Sequence, residues 1–259
     1  MGIYNCEATL VEALDSLYAQ TYKGFKVILC DDGSSDNTYQ VASDYASNHE
    51  NIILLKNRKN LKLAATLNHC LEYADTEYVA RMDGDDISLP TRFEKEISFL
   101  DEHPEYAIVS TPMIYFDENG DWKHGIAKEY PQKKDFIWGT PFCHAPCMMR
   151  TEALRNIGGY TDNKYTIRME DYYLWYKFYK AGYIGYNIQE QLYKMRDDQA
   201  AIERRKIGIK RRFYGMKTDI EVLKGLGISP IYWFRTLRNI PIMLMPQSIY
   251  LFFHKRKIK

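Results

Sequence analysis

Phe25-Lys26-Val27-Ile28-Leu29-Cys30-Asp31-Asp32-Gly33-Ser34-Ser35-Asp36 is a short apolar run that stops abruptly in acids and turn formers. Five apolar residues among six, followed by Gly33 and two serines, read as a buried strand ending in a polar loop. Upstream, Thr9-x-x-Glu12 has the form of a capping box. Leu10, Ala13, Leu14 and Leu17 follow at helical spacing, predicting a helix over residues 9–20. Downstream, Thr38, Val41, Ala42 and Tyr45 share one face of a second helix, for which Ser35 or Asp36 is the expected cap. The alternation continues with a strand over 52–55, a helix over 63–73 and a strand over 77–82. A helix opened by Pro90 and a strand over 106–111 complete the series. Strands alternating with helices of about a dozen residues indicate βαβ units, hence an α/β domain with a mostly parallel sheet. The rhythm stops near residue 112. A hairpin turn at Asp117-Glu118-Asn119-Gly120, a helix over 151–157 closed by Gly158 and a helix over 170–181 follow.

One domain is expected over residues 1–201, with a basic amphipathic helical extension over 202–259. The net charge of +1 hides an asymmetry. Residues 202–259 hold 14 Lys+Arg against 3 Asp+Glu, a balance of +11, so the rest of the chain stands at −10. A composition of 46% hydrophobic and 27% charged residues excludes a wholly disordered or collagen-like chain. The five cysteines read as free thiols, and Cys143-His144-x-x-Cys147 lacks the second ligand cluster of a zinc site. The chain opens on Met1-Gly2-Ile3-Tyr4-Asn5, which reads as the end of a strand running into a loop, so the first strand is expected to be truncated.

Ligands of open parallel sheets bind beyond the carboxyl ends of the strands. Three polar groups distant in sequence fall there: Tyr4-Asn5, Asp31-Asp32 and Asp83-Gly84-Asp85-Asp86. In an extended segment residues two apart point the same way, so Asp83 and Asp85 face one site together. Such hard oxygen ligands suit Mg²⁺ or Mn²⁺ with substrate phosphates as further ligands, although Asp-Gly is also a common turn pair. Asp171, Leu174, Trp175 and Phe178 lie at i, i+3, i+4 and i+7 on the last predicted helix. That spacing puts a carboxylate on the inward stripe, where it serves either as a general base or as favourable charge at a helix N-terminus.

Tyr4-Asn5, Gln20-Thr21-Tyr22, residues 27–38, Ala80-Arg81-Met82-Asp83-Gly84-Asp85-Asp86 and Glu170-Asp171-Tyr172-Tyr173-Leu174-Trp175, in this order, resemble the family 2 glycosyltransferases. The resemblance covers about residues 1–200. It implies the GT-A nucleotide-diphospho-sugar transferase fold and an inverting transfer from a nucleotide sugar, often a UDP-sugar. It also implies that Gly2 and Tyr4 line the nucleotide pocket, Asp32 bonds the base, Asp83 approaches the ribose, Asp85 ligates the metal and Asp171 is the catalytic base. Lys62 stands where the family often has glycine. Arg58, Arg81 and His144 lie in segments that family members place near the cleft, without an assigned role.

The extension mixes Arg204, Arg205, Lys206, Lys210, Arg211 and Arg212 with apolar residues, and ends in Ser248-Ile249-Tyr250-Leu251-Phe252-Phe253-His254-Lys255-Arg256-Lys257. This pattern fits an interfacial anchor beside anionic lipid, the alternative being aromatics that cover the catalytic domain with the charges solvated. The resemblance favours the anchor and implies the cytoplasmic face of the inner membrane, with a glycan or lipid-linked acceptor of bacterial surface polysaccharide synthesis. Basic charge without a recognised module or stacking platform points away from nucleic acid. A nucleotidyltransferase would show a glycine-rich basic phosphate loop near the N-terminus, and none is visible. A truncated, non-catalytic binding module is the remaining alternative.

Overall fold

The computed structural model describes residues 1–198 and 209–238. The alternating half folds as expected: β1 (Gly2–Ile3), α1 (Leu10–Tyr18), β2 (Val27–Asp31), α2 (Thr38–Ala46), β3 (Ile52–Lys56), α3 (Leu63–Glu72) and β4 (Tyr78–Ala80). Then come β5 (Ile87–Ser88), α4 (Arg92–Glu102), β6 (Tyr106–Ser110) and the hairpin β7 (Ile114–Asp117) with β8 (Gly120–His124). The mixed half holds β9 (Met148–Arg150), α5 (Thr151–Asn156), α6 (Glu170–Lys180), β10 (Ile184–Asn187) and β11 (Tyr193–Arg196). Helix α7 (Ile209–Gly225) and a 3₁₀ segment (Pro230–Arg238) follow.

Hydrogen bonding divides the strands into three pieces. They are the parallel β1-β2-β3, the mixed β10-β6-β9-β4 and the mixed β5-β11-β7-β8. In the second piece β9 runs antiparallel to both β4 and β6. β1 spans two residues and ladders onto β2, with Cys30 N–H donating to Met1 O at 2.9 Å and Asp32 N–H to Ile3 O at 2.8 Å. An apolar slot lined by Val27, Leu67, Met82, Phe93 and Met148 separates β2 from β4.

Two cores hold the layers together. One gathers Ile3, Leu10, Leu14, Leu17, Leu29 and Val109 under α1 and α4. The other gathers Leu174, Trp175 and Phe178 of α6 with Phe142, Met149 and the Val222 and Leu223 of α7. The side chains at 0% exposure among these each contribute roughly 1.5–3 kcal/mol by burial. Part of the extension beyond residue 201 therefore packs on the α/β core through α7. Residues 199–208 and 239–259, with the Arg204-Arg205-Lys206 run and the aromatic end 248–257, lie outside the described residues.

One local expectation is corrected and one is narrowed. Thr9 does not cap α1, because its hydroxyl donates to Cys6 O and to Gly84 O at 3.0 Å. It ties the helix start to the acidic loop instead. Ser35 does not cap α2, whereas Asp36 accepts the Thr38 N–H at 3.0 Å. Gln20, fully buried, accepts the Phe93 N–H at 3.0 Å in the first turn of α4 and donates to Leu89 O at 2.8 Å. The Gln20-Thr21 motif thus satisfies an orphan donor at a helix start.

Candidate active site

The loops after β1, β2 and β4 meet at one edge, as the switch point of an open sheet requires. Asn5 N–H donates to Ser34 Oγ at 3.0 Å, and Ser35 N–H to Asn5 Oδ1 at 2.9 Å. Gly33 sits at φ +70°, and a Cβ there would lie 2.8 Å from the Lys59 carbonyl carbon, so only glycine lets the loop after β2 touch the loop after β3. Gly84 admits the acidic loop against β1, since a Cβ would come within 2.9 Å of Cys6 Sγ. Beside this junction is a cavity of about 490 Å³, lined in part by Gly2, Tyr4, Asp83, Asp85 and Arg196. That volume falls within the range of small-molecule sites.

The acids of the loop have different surroundings. Asp83, Asp85 and Asp86 bring ligand oxygens within 4.8 Å of one another, the only group of three such residues among those described. The Arg81 guanidinium grips both oxygens of Asp83, with Nη1 to Oδ2 at 2.7 Å. Bidentate charge-assisted pairs of this kind fix orientation as well as energy. Arg81 is itself buried and its backbone oxygen takes a bond from Arg92 Nη2 at 2.9 Å. Asp86 is buried, accepting from Tyr193 OH at 2.9 Å and Arg196 N–H at 2.8 Å. Burial, with Asp83 and Asp85 adding, pushes its carboxyl well above the usual range. Asp85 faces the cavity. A divalent cation fits this donor set, one cavity-facing carboxylate flanked by a second, with room for phosphate oxygens.

Asp32 is buried and is not among the residues that line the cavity. Its carboxylate accepts from Asn57 Nδ2 at 2.9 Å, Leu61 N–H at 2.8 Å and Lys62 N–H at 2.9 Å. A carboxylate has about four lone-pair positions, so one remains for a further donor. Asp31 likewise receives the Ser34 N–H. Internal amides thus offset the two carboxylates that stand side by side at the end of β2.

Asp171 stands in the first turn of α6, half-buried, outside the lining of the cavity. Burial raises its carboxyl, while the Tyr172 N–H and the Arg81 charge oppose the rise. Arg81 therefore acts on both Asp83 and Asp171. His144 donates to or accepts from Tyr160 OH at 2.8 Å and packs edge-on to Trp175. Burial, then Arg81, depresses its pKa well below the usual value, leaving a neutral ring.

Sequence reading missed two members. Arg81 was noted without a role, and its ion pair joins residues only two apart, a legible signal. Arg196 was not noted at all. It reaches the cavity from β11, 110 residues beyond Asp86, and only the fold reveals that.

The profile described as "Glycosyl transferase family 2" matches residues 1–158. The putative glycosyltransferase EpsE of Bacillus subtilis is 48% identical over 206 residues, covering 79% of this chain and 74% of that protein. The Escherichia coli UDP-Gal:alpha-D-GlcNAc-diphosphoundecaprenol beta-1,3-galactosyltransferase is 30% identical over 266 residues, covering 100% of this chain and 95% of that one. Among solved structures, Staphylococcus aureus TarS in complex with UDP-GlcNAc superposes with a TM-score of 0.72 at 18% identity, over 92% of this chain and 70% of that one. The Pyrobaculum calidifontis mannosyltransferase with GDP-Man and Mn²⁺ gives 0.64 at 17% identity, over 99% and 78%. The chain belongs to glycosyl transferase family 2 and has the GT-A fold. Its relatives act in polysaccharide and lipid-linked sugar synthesis.

Proposed function

We propose that this glycosyltransferase moves a sugar from a nucleoside-diphosphate donor, a UDP-sugar, to a glycan or lipid-linked saccharide acceptor, with inversion at the anomeric carbon. The observation that carries the reading is the cavity at the strand ends, where Gly2, Tyr4, Asp83 and Asp85 meet. Gly2 and Tyr4 bound the nucleotide, Asp32 offers its remaining lone pair to a base N–H, and Asp83, oriented by Arg81, accepts from the ribose. Asp85 would hold Mg²⁺ or Mn²⁺, which supplies charge stabilisation for the departing diphosphate.

Asp171 takes the proton of an acceptor hydroxyl. That oxygen forms the new bond to C1 from the face opposite the leaving group, and the nucleoside diphosphate departs with the bonding pair. A carboxyl raised by burial is a stronger base once ionised, which suits this task. The names of two E. coli relatives, both written as acting on GlcNAc-diphosphoundecaprenol, support a lipid-linked acceptor. The +11 balance beyond residue 201 supports association with the anionic cytoplasmic face of a membrane. No helix among the described residues is long and apolar enough to cross one.

Calorimetric titration with UDP, with and without Mn²⁺, on the wild type and Asp85→Ala tests the reading. Metal-dependent binding that the variant loses is expected. Equal binding by both proteins would remove Asp85 as the metal ligand, and no binding of UDP by the folded wild type would remove the uridine donor.

A further inference from the structure

The cavity that receives the donor is lined by five carboxylates, Glu7, Asp36, Asp83, Asp85 and Asp198, and by a single cationic side chain, Arg196. A diphosphate entering such a wall meets repulsion that a lone divalent ion on Asp85 offsets only in part. Arg196 is placed for the remainder. It closes β11, where its backbone N–H is anchored on Asp86 and its guanidinium lies 4.6 Å over the Phe116 ring. Its Nε donates to the backbone oxygen of Asp85 at 3.0 Å, beside the carboxylate assigned to the metal. Its Nη2 pairs with Glu12 of α1.

The two partners of this pair are unequal. The Arg196 side chain is 16% exposed and held at two further points, the Asp85 backbone oxygen and the Phe116 ring, whereas the Glu12 side chain is 55% exposed. Exposed pairs contribute little, so Glu12 is a partner that a phosphate can displace. A phosphate oxygen offers the same fork geometry with more charge.

We propose that Arg196 binds the donor's diphosphate, exchanging Glu12 for phosphate oxygen, and so sets the preference for nucleoside diphosphates over monophosphates. The inference rests on the nucleotide-sugar reading above. Glu12 is the stand-in anion that keeps the guanidinium oriented between turnovers.

The test is titration of UDP and UMP, each with Mn²⁺, against the wild type, Arg196→Gln, Arg196→Lys and Glu12→Gln. Arg196→Gln is expected to lose about tenfold or more of its UDP affinity, the scale of one charge-assisted bond, with UMP affinity unchanged. Arg196→Lys should recover part of that loss. Glu12→Gln removes the competitor and should raise UDP affinity several-fold, and this variant leaves Arg196 in place should Arg196→Gln fold poorly. A merely structural Arg196 would weaken UDP and UMP alike, and that result overturns the inference. So does a Glu12→Gln variant that binds UDP more weakly than the wild type. If the wild type binds no nucleoside diphosphate, tried as UDP and GDP, the donor reading itself falls and takes this one with it. Binding of GDP alone would move the test to GDP and GMP and leave the role of Arg196 standing.

Discussion

Replacing Lys62 by glycine should make the protein more stable. Lys62 precedes α3 with φ 77° and ψ 164°, a region that only glycine enters without crowding its Cβ. A side chain held there costs on the order of 1–3 kcal/mol. Glycine returns roughly 0.5–1 kcal/mol of that through the greater freedom of its unfolded chain. The lysine side chain is exposed, so little packing is lost. The net expectation is a gain of about 1 kcal/mol, or about 2–4 °C in Tm for a chain of this size. Urea denaturation and a thermal scan measure it, with Lys62→Ala as the control that keeps the Cβ and therefore the strain. UDP affinity should hold, because the backbone N–H that fixes Asp32 is unchanged. Equal shifts in the glycine and alanine variants, or a destabilised glycine variant, would refute the argument from backbone strain.

Three further outcomes follow from the site. Asp171→Asn should lower transfer by about 10²–10⁴ while leaving UDP binding intact. In the wild type, kcat should fall as pH drops through the Asp171 pKa, and burial sets that midpoint above the usual carboxylate value of about 3.9, so a profile flat down to pH 4 would contradict the assignment. Arg81→Met should weaken UDP binding about tenfold by releasing Asp83, yet retain Mn²⁺ dependence, since Asp85 is untouched. Loss of the metal dependence in that variant would show that Asp83 and Asp85 do not divide the work as described.

The fold was legible where local patterns and tertiary packing agree. Leu10, Ala13, Leu14 and Leu17 lie on a helical stripe and are all buried, as are the apolar residues of β2 apart from Ile28. The acids after β2 and β4 were readable because strand ends and turn formers coincide there. What was not legible is long-range. β9, β10 and β11 are three or four residues each and draw their pairing from β4, β6 and β7, so no local period announces them. The same distance hid Arg196. The capping box at Thr9 failed for a related reason, because Gly84 O, 75 residues away, offers the hydroxyl a better use. Lys62 was noticed only as a departure from glycine, and its backbone angles supply the physical meaning of that departure.

The acidic loop is also a problem in charge that the surrounding residues solve unevenly. Two unit charges about 4.8 Å apart repel by roughly 3–4 kcal/mol at an effective dielectric near 20. Three ionised carboxylates at that spacing would add about 10 kcal/mol against folding, comparable with the whole stability of a typical domain. Arg81 cancels much of the charge on Asp83, and burial keeps the Asp86 carboxyl from ionising readily, against the hydrogen bonds from Arg196 N–H and Tyr193 OH. Asp85 lies at the wall of the cavity. A divalent cation held there, as proposed above, would offset the charge that the loop gathers. The proposed selectivity for a diphosphate would then fall to Arg196, the one positive side chain of the cavity lining, which bonds the Asp85 backbone oxygen.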